Sequence, residues 1–515
     1  MILVAGAWCA STSRAAEPPE LPRELARACA ALNAKADITL AKEAGKWRVA
    51  DMALWAVFRK DSSLDELARL GPVDSLRIIV KAGVTADGIA KLSALKLRTL
   101  AVSGEPGPEA LCALGKLETL EGLTLDGCRN VTDKVLARLE DLPKLKRLSL
   151  CSIDMDGSSV RIIARMKGLT DLNLCDNKGI GDGDIAALKS MAKLQVLDLS
   201  GTAVGPGGVF RDGWPALESL TLQRKWSSLA RGEVWDKVDL SCLPKLTCLD
   251  ISGLSPASVR EIVLPDGLRR LAVQDNMLGH KSFEKCRALR KVEHLALLSG
   301  HWSDPDVDWV DPDRGFESLL TDFPSLKELD LGVTHRILNG KALTSLCSLR
   351  LAPCGGLQDE GARKDAVLHA ASPKTMPKLE SLDLSIYELS RGAFSALVSP
   401  PRLRHLRLSS VPDTSADLVD DIARLDGLRI LAVSFRKTGR QRLSGDALGG
   451  KLAAMESLEE LTIKGVTLSD DGLKNLAKLK KLRLLDITGV IGFTDGELML
   501  LMQELKELQS VKYSR

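Results

Sequence analysis

Hydrophobic positions along the chain follow one spacing, LxxLxL, that returns roughly every twenty-four residues. Inside a copy, apolar and polar residues alternate, as in Leu197-Asp198-Leu199, and this period of two predicts a short strand with one buried face. About nineteen copies are recognised by their first position, which is occupied by Val49, Val73, Leu97, Leu120, Leu145, Leu169, Leu194, Leu217, Leu246, Leu268, Val292, Leu326, Leu346, Leu379, Leu403, Leu428, Leu458, Leu482 and Leu508.

The second half of each copy changes to a helical period. Residues 133–142, 182–191 and 470–479 space their apolar positions three and four apart, and each segment begins at an aspartate that can help to cap a helix. No single copy can bury its own leucines, so the copies are expected to stack. The pattern therefore predicts an α/β solenoid, an open horseshoe with a parallel sheet on its concave face and helices on its convex face.

One segment identifies the type of repeat. The sequence LTLDGCRNVTDKVL at residues 123–136 resembles the cysteine-containing class of leucine-rich repeats, the ribonuclease-inhibitor-like and F-box-associated class. The turns VTADGI at 84–89, LSDDGL at 468–473 and FTDGEL at 493–498 are similar to it. The resemblance covers residues 49–515 and implies a protein-binding scaffold, like exported bacterial proteins of this kind, although a shared fold does not define a function.

The N-terminal part differs from the repeats. Residues 1–16 combine an apolar stretch with small residues around Arg14, as in a secretory signal, which predicts export to the periplasm or the exterior; without such a signal the protein is cytoplasmic. Residues 17–48 are expected to cap the first repeat with a helix and with a hairpin formed by 37–40 and 47–54. An alternative interpretation is that residues 21–55 form an F-box, the helical module of ubiquitin-ligase substrate receptors.

Four insertions lengthen the regular step, near residues 223–240, 299–320, 352–376 and 434–452. All follow a strand, so they are expected on one rim of the solenoid. The first two contain half of the chain's tryptophans, and indoles of exposed loops often anchor protein interfaces. These candidate contact residues are Trp226, Trp235, Trp302 and Trp309, and their alternative role is to pack over repeat edges.

Further candidates lie between the leucines of the strands, where alternation directs side chains away from the core. They include Asp198, Asp250, Asp330, Asp383 and Arg407, among small and polar neighbours. A face of this kind suits hydrogen-bonded recognition of a protein surface. The alternative interpretation is that this face is a solvated sheet that binds no ligand.

Composition removes several classes of function. The 71 basic and 68 acidic residues give a net charge of +3, far below the excess typical of nucleic-acid binding, so nucleic acid is not expected as a partner. No internal apolar run is long enough to cross a membrane. The chain has no GxSxG, HExxH or phosphate-binding loop, and its six histidines lie in unrelated copies. We therefore expect no catalysis, no cofactor and no metal.

The cysteines fall at repeat positions. Cys128 and Cys354 occupy the place taken by Asn177 and Asn276 in other copies, which predicts a structural role against the turn backbone. Cys151 and Cys175 share one motif position in neighbouring copies, which brings their Cα atoms within disulfide range. Their side-chain vectors are parallel, which argues against a disulfide, and without CxxC or a histidine pair a zinc site is not expected either.

Taken together, these patterns predict a monomeric, non-enzymatic scaffold that binds another protein through its concave sheet and one rim. A polymer of the cell envelope is an alternative ligand, and the F-box remains the alternative for residues 21–55.

Overall fold

The computed structural model describes residues 28–29, 35–205, 214–223, 238–252, 261–274, 287–298, 323–332, 343–352, 376–385, 402–412, 416–436 and 443–514. Within these residues, one sheet of 20 strands dominates the molecule. Its strands, in chain order β1 to β20, are Ala36–Glu43, Lys46–Phe58, Ser75–Lys81, Thr99–Glu105, Gly122–Thr124, Arg147–Ser149, Asp171–Asn173, Val196–Asp198, Ser219–Thr221, Cys248–Asp250, Arg270–Gln274, His294–Leu298, Glu328–Gly332, Ser348–Ala352, Ser381–Ser385, His405–Pro412, Ile430–Arg436, Glu460–Lys464, Leu484–Ile487 and Ser510–Ser514.

The sheet closes on itself. Each strand from β2 to β19 pairs in parallel with the next one along the chain, whereas β1 pairs antiparallel with both β2 and β20. In the second pairing, Asp37 lies opposite Ser514 and Ala41 opposite Ser510. The first strand is thus the closing member of a ring.

The open horseshoe predicted from the sequence is therefore wrong. A horseshoe would leave its last strand with one unpaired edge. Instead β1 lies along β20, and the Lys42 amide donates to the Gln509 carbonyl (2.8 Å). Each end of the solenoid satisfies the unpaired backbone groups of the other, which removes both sheet edges.

The predicted hairpin at the N-terminal end is present. Strands β1 and β2 are joined at Ala44 and Gly45, whose φ angles of 49° and 81° fit the tight turn that matches strand twist. A hairpin paired with β3, rather than a bundle of helices, therefore occupies residues 36–58, so the structure gives no support to the F-box interpretation.

A single layer of aliphatic residues fills the space between the sheet and the helices outside it. Leu148, Leu172 and Leu197 lie in register on adjacent strands and are at most 2% exposed. The predicted stacking of the copies is confirmed at these positions. Since leucines of neighbouring coils bury one another, no coil is stable alone.

Short helices lie on the outer face. In chain order α1 to α10, the described α-helices are Asp61–Ala68, Ala86–Lys91, Pro108–Ala113, Asp133–Leu139, Gly157–Ile163, Asp182–Ile185, Ala416–Ala423, Gly445–Leu452, Asp470–Leu476 and Asp495–Glu504. The described 3₁₀ helices are Leu92–Leu95, Leu114–Lys116, Ala186–Ser190 and Arg287–Lys291. The helices begin where the aspartates predicted but end earlier, because the chain must tighten and return to the next strand. Two-stranded pairings join Val238–Asp239 to Ile262–Val263 and Leu443–Ser444 to Val466–Thr467.

Buried polar side chains hold the turns after the strands, as the sequence predicted. The Cys128 thiol donates to the Val102 carbonyl (3.4 Å), and burial raises its pKa to about 12. Asn177 donates to the carbonyls of Leu150 (2.8 Å) and Leu174 (2.9 Å) and accepts from two amides of the preceding coil. Both residues are structural.

Cys151 and Cys175 correct a further prediction, because they form a disulfide. Their Cα atoms are 4.6 Å apart on neighbouring coils. The parallel side-chain vectors do not prevent the bond, since exact register brings the two sulfur atoms side by side.

The structure shows no helix, among the residues it describes, with the length and apolarity needed to span a membrane. Most residues of the four insertions lie outside the described residues, as do Cys354 and Asn276. The domain boundaries at residues 16 and 48 stay predictions.

Candidate functional site

The inner face of the ring presents one residue per strand from between two buried positions. We call this set the inner row. In register from β3 to β20 it consists of Arg77, Ala101, Thr124, Ser149, Asn173, Asp198, Thr221, Asp250, Ala272, Ala296, Asp330, Arg350, Asp383, Arg407, Ala432, Thr462, Asp486 and Lys512. The row contains all five inner-face residues singled out from the sequence.

Opposite charges alternate on strands β12 to β16, and we call this part of the inner face the charged sector. His294 on β12 lies between two carboxylates of β13: its Nε2 is 3.2 Å from Asp330 Oδ2, and its Nδ1 is 2.9 Å from Glu328 Oε2. The first contact has hydrogen-bond geometry, and the second is an ionic contact only. The hydrogen bond to Asp330 raises the pKa of His294, against the opposing effect of burial.

The next three strands place Asp383 between two arginines. Asp383 Oδ2 is 3.6 Å from Arg350 Nε and 3.8 Å from a terminal guanidinium nitrogen of Arg407. The aspartate side chain is 17% exposed, whereas the arginines are 52% and 63% exposed. Burial raises the pKa of Asp383, although both arginines act to lower it. Its second oxygen, Oδ1, is buried without a hydrogen-bond partner among the described residues.

Asp198 and Asp250 are used differently, although they occupy the same position of the repeat. Asp198 Oδ1 accepts a hydrogen bond from the Ser200 amide (2.9 Å), and Asp250 Oδ1 accepts one from the Ser252 amide (2.9 Å). A side chain that accepts from the backbone two residues later bends the chain locally. These two aspartates therefore end their strands, and of the five candidates only Asp330, Asp383 and Arg407 belong to the charged sector.

The point of ring closure carries a tryptophan that the binding prediction did not include. Trp55 on β2 is 57% exposed, and its indole nitrogen donates to Asp37 Oδ2 (3.1 Å). The other oxygen of Asp37 accepts from the Ser514 hydroxyl (2.5 Å). Alternation could not have marked Trp55, since it follows three consecutive buried residues, Met52, Ala53 and Leu54. Trp226, Trp235, Trp302 and Trp309 lie outside the described residues.

Comparisons with known proteins give partial matches. No family model matches the chain. An adenylate cyclase regulatory protein of Trypanosoma equiperdum is 31% identical over 157 residues, which are 30% of this chain and 20% of that protein. The match thus spans one fifth of that relative.

Two solved structures show distant likeness. A TLR13 complex with the RNA ssRNA13 has a TM-score of 0.33 and 17% identity, over 85% of this chain and 67% of that one. An internalin of Listeria monocytogenes has a TM-score of 0.22 and 14% identity, over 97% and 98% of the two chains. Scores this low do not define the closed ring, whose description depends on its own strand pairing.

Proposed function

We propose that the protein is a non-enzymatic binding ring that recognises another protein through its inner face, with the charged sector as the main contact. The observation that carries this proposal is the series His294, Asp330, Arg350, Asp383 and Arg407 on five adjacent strands. The arginine side chains are more than half exposed, while the aspartate side chain between them is largely buried. This arrangement leaves both guanidinium groups accessible to a partner.

The pattern of charge favours a protein as the partner. Acidic and basic groups alternate at the strand spacing of about 4.8 Å, and such mixed charge complements a protein surface better than a polyanion. A nucleic acid would meet Asp330 and Asp383 as often as Arg350 and Arg407. Guanidinium groups are also well suited to bind carboxylates with two parallel hydrogen bonds.

Ring closure limits what can reach this face. With 20 strands about 4.8 Å apart, the circumference is about 96 Å and the distance between opposite backbones is about 30 Å. An α-helix with side chains is about 10–12 Å wide and fits inside, whereas a domain of about 100 residues, with a radius of gyration of about 13 Å, does not fit once inner side chains are counted. We therefore propose that the partner inserts a helix or an extended segment.

Site-specific photocrosslinking in the native host tests this proposal. A photoreactive amino acid replaces Arg407 on the inner face, and the matched control replaces Arg138 of helix α4, whose side chain is 62% exposed on the outer face. We expect adducts to one partner protein from position 407 and none from position 138. Charge reversal of Arg350 and Arg407 should then weaken the purified complex at least about tenfold. Equal labelling from both positions would contradict the proposal.

The rim loops are the second element of the proposal. Trp226, Trp235, Trp302 and Trp309 are proposed to border the binding face beside the inner row. If Trp226→Ala and Trp302→Ala leave binding of the crosslinked partner unchanged while lowering stability, the indoles pack within the protein and this part is wrong.

Export is proposed from residues 1–16, and the disulfide between Cys151 and Cys175 is typical of oxidising compartments. Fractionation of the native cells and N-terminal sequencing of the purified protein test it. A cytoplasmic protein that retains residues 1–16 would contradict export.

A further inference from the structure

Cys151, Cys175 and Asp176 lie together on the inner face, in the turns that follow β6 and β7. We propose that, when the disulfide is reduced, these three residues bind a thiophilic divalent cation such as Zn²⁺, and that the disulfide masks this site. One ligand atom from each residue lies within 4.8 Å of the others, and all three residues are half-buried. The site is independent of the charged sector.

The backbone, and not the disulfide, positions the two cysteines. The Leu150 amide donates to the Asn173 carbonyl and the Ser152 amide to the Cys175 carbonyl, each at 2.9 Å, on either side of Cys151. The Cys151 amide also donates to Asp126 Oδ1 (2.9 Å). These bonds persist when the sulfur–sulfur bond breaks. Reduction therefore leaves two thiols side by side in a prepared arrangement.

Asp176 is positioned by an unusual backbone conformation. Its φ angle is 57°, in the left-handed region that few non-glycine residues adopt, and its amide donates to the Ser200 carbonyl (2.7 Å). The neighbouring coil provides space for the carboxylate through Gly201. A Cβ atom at Gly201 would lie 2.3 Å from Asp176 Oδ1, so a larger residue there would displace the carboxylate.

The geometry suits zinc. Zinc binds thiolate sulfur at about 2.3 Å and carboxylate oxygen at about 2.0–2.2 Å, so ligand atoms around a tetrahedral ion lie about 3.5 Å apart. Small side-chain rotations bring the three atoms from within 4.8 Å of one another to that distance. The partial exposure of the site leaves the remaining position to water. Two adjacent thiolates and a carboxylate repel one another, and a divalent cation relieves this repulsion.

Reduction and cation binding are two separate steps. A dithiol reductant transfers two electrons and two protons to the Cys151–Cys175 bond, which becomes two thiols, and the reductant leaves as a disulfide. The cation then replaces both thiol protons, which pass to the solvent. The sequence contains neither CxxC nor a histidine pair near these cysteines, so it did not predict a zinc site. In the folded protein, the pairing of neighbouring strands brings the two cysteines together, as short spacing does in a CxxC motif.

Titration of the full-length protein with Cd²⁺ tests the proposal, because thiolate–cadmium bonds give an ultraviolet charge-transfer band. We expect one equivalent bound by the reduced protein and none by the oxidised protein. Cys151→Ser and Cys175→Ser should abolish the band, Asp176→Asn should weaken binding about tenfold or more, and Gly201→Ala should weaken it through the displaced carboxylate. Cys248→Ser, which changes another inner-face cysteine, should bind like the unaltered protein.

Circular dichroism of each variant verifies that the ring is folded. Binding by the reduced double variant Cys151→Ser/Cys175→Ser equal to that of the reduced unaltered protein would overturn the proposal, as would equal binding by the oxidised protein. An affinity unchanged by Asp176→Asn would overturn the three-ligand site. Direct titration with Zn²⁺ in the presence of a chromophoric chelator should give one equivalent bound by the reduced protein; no Zn²⁺ binding would overturn the assignment to zinc.

Discussion

Strands β5 to β10 and strands β12 to β16 use the same position of the repeat in opposite ways. In the first group, which we call the short-strand sector, each strand has three residues. Asn173, Asp198 and Asp250 there accept hydrogen bonds from the amide two residues later. In the charged sector, Asp330 and Asp383 face a histidine and arginines of neighbouring strands, and the strands run for five residues or more.

This contrast shows how the neighbouring strand influences the role of these four aspartates. Asp486 on β19 combines both contacts, since it accepts from the Thr488 amide (3.0 Å) and lies 3.2 Å from Lys464 Nζ. With no cation on the adjacent strand, the carboxylate takes the nearest amide and ends the strand. With an arginine or a histidine alongside, the carboxylate contacts that cation, and the backbone is free to continue in the sheet. The short-strand sector thus uses its polar side chains for structure, and the charged sector leaves charged groups available for binding.

The largest expected effect lies in the short-strand sector, at Asn177. Asn177→Ala removes five hydrogen bonds, to the amides of Ile153 and Met155 and to the carbonyls of Leu150, Leu174 and Cys175, in a buried turn. We expect a loss of about 3 kcal/mol or more. Denaturant unfolding measures the loss, and hydrogen exchange at Ile153 and Met155 localises it.

A matched control for Asn177 is Thr202→Ala. Thr202 is buried at the equivalent place of the next coil, where its hydroxyl donates to the Leu199 carbonyl (2.6 Å). We expect a smaller loss, about 1 kcal/mol. Equal losses for both variants would mean that the polar network of Asn177 adds nothing beyond the packing of the turn.

The next effect compares two aspartates directly. Asp198→Ala removes the acceptor of the Ser200 amide and should cost about 1 kcal/mol, whereas Asp198→Asn keeps an acceptor and should cost less. Asp383→Asn removes the charge of a partly buried carboxyl group, whose pKa is raised by burial. It should change stability by no more than about 0.5 kcal/mol. Thermal and denaturant unfolding of the three variants measure this. Equal losses of stability for Asp198→Ala and Asp383→Asn would remove the distinction between the sectors.

A smaller effect depends on pH and is specific to the charged sector. The pKa of His294 is raised in the folded protein, chiefly by its hydrogen bond to Asp330. The folded protein therefore holds the proton of His294 more tightly than the unfolded chain does. The resulting stabilisation is complete below the ordinary histidine pKa of about 6.5 and is lost as the pH rises through the raised value. Stability measured across this range should therefore fall in the unaltered protein and fall less in His294→Gln.

The control for this pH effect is His405→Gln, which changes an exposed histidine on β16 of the same sheet. This variant verifies that a change of slope is specific to position 294 and does not follow from loss of any histidine. The same slope in His294→Gln as in the unaltered protein would show that the contact with Asp330 does not couple protonation to folding.

Local pattern was enough to predict much of this molecule. The alternation around Leu197 gave the phase of the strands, and the helix starts followed from capping aspartates such as Asp133 and Asp470. The turn residues Cys128 and Asn177 were predicted because their spacing from the leucines is constant. All of these depend on interactions within one coil or between neighbours.

The features that the sequence did not predict depend on contacts between residues far apart in the chain, or on which side chain the adjacent strand presents. The alternation of Ile38 and Leu40 predicts a strand, but it does not indicate which other strand pairs with it. The actual partner strand lies more than 470 residues away, so ring closure was not predicted. Asp198 and Asp383 look alike in their own copies. The arginines that distinguish them stand on adjacent coils, and the register had to be known first.

The smallest expected effect decides whether the arginines of the charged sector serve structure or binding. Arg350 and Arg407 contact Asp383 at 3.6 and 3.8 Å and remain more than half exposed, and ion pairs that exposed contribute little to stability. Arg350→Ala and Arg407→Ala should each change stability by no more than about 0.5 kcal/mol, and their effects should add in the double variant. Denaturant unfolding of the four proteins measures this cycle. A coupling above about 1 kcal/mol would mean that the arginines hold Asp383 in place and the charged sector is structural, whereas additive effects combined with weaker partner binding would leave recognition as the reason that the two charges face the lumen.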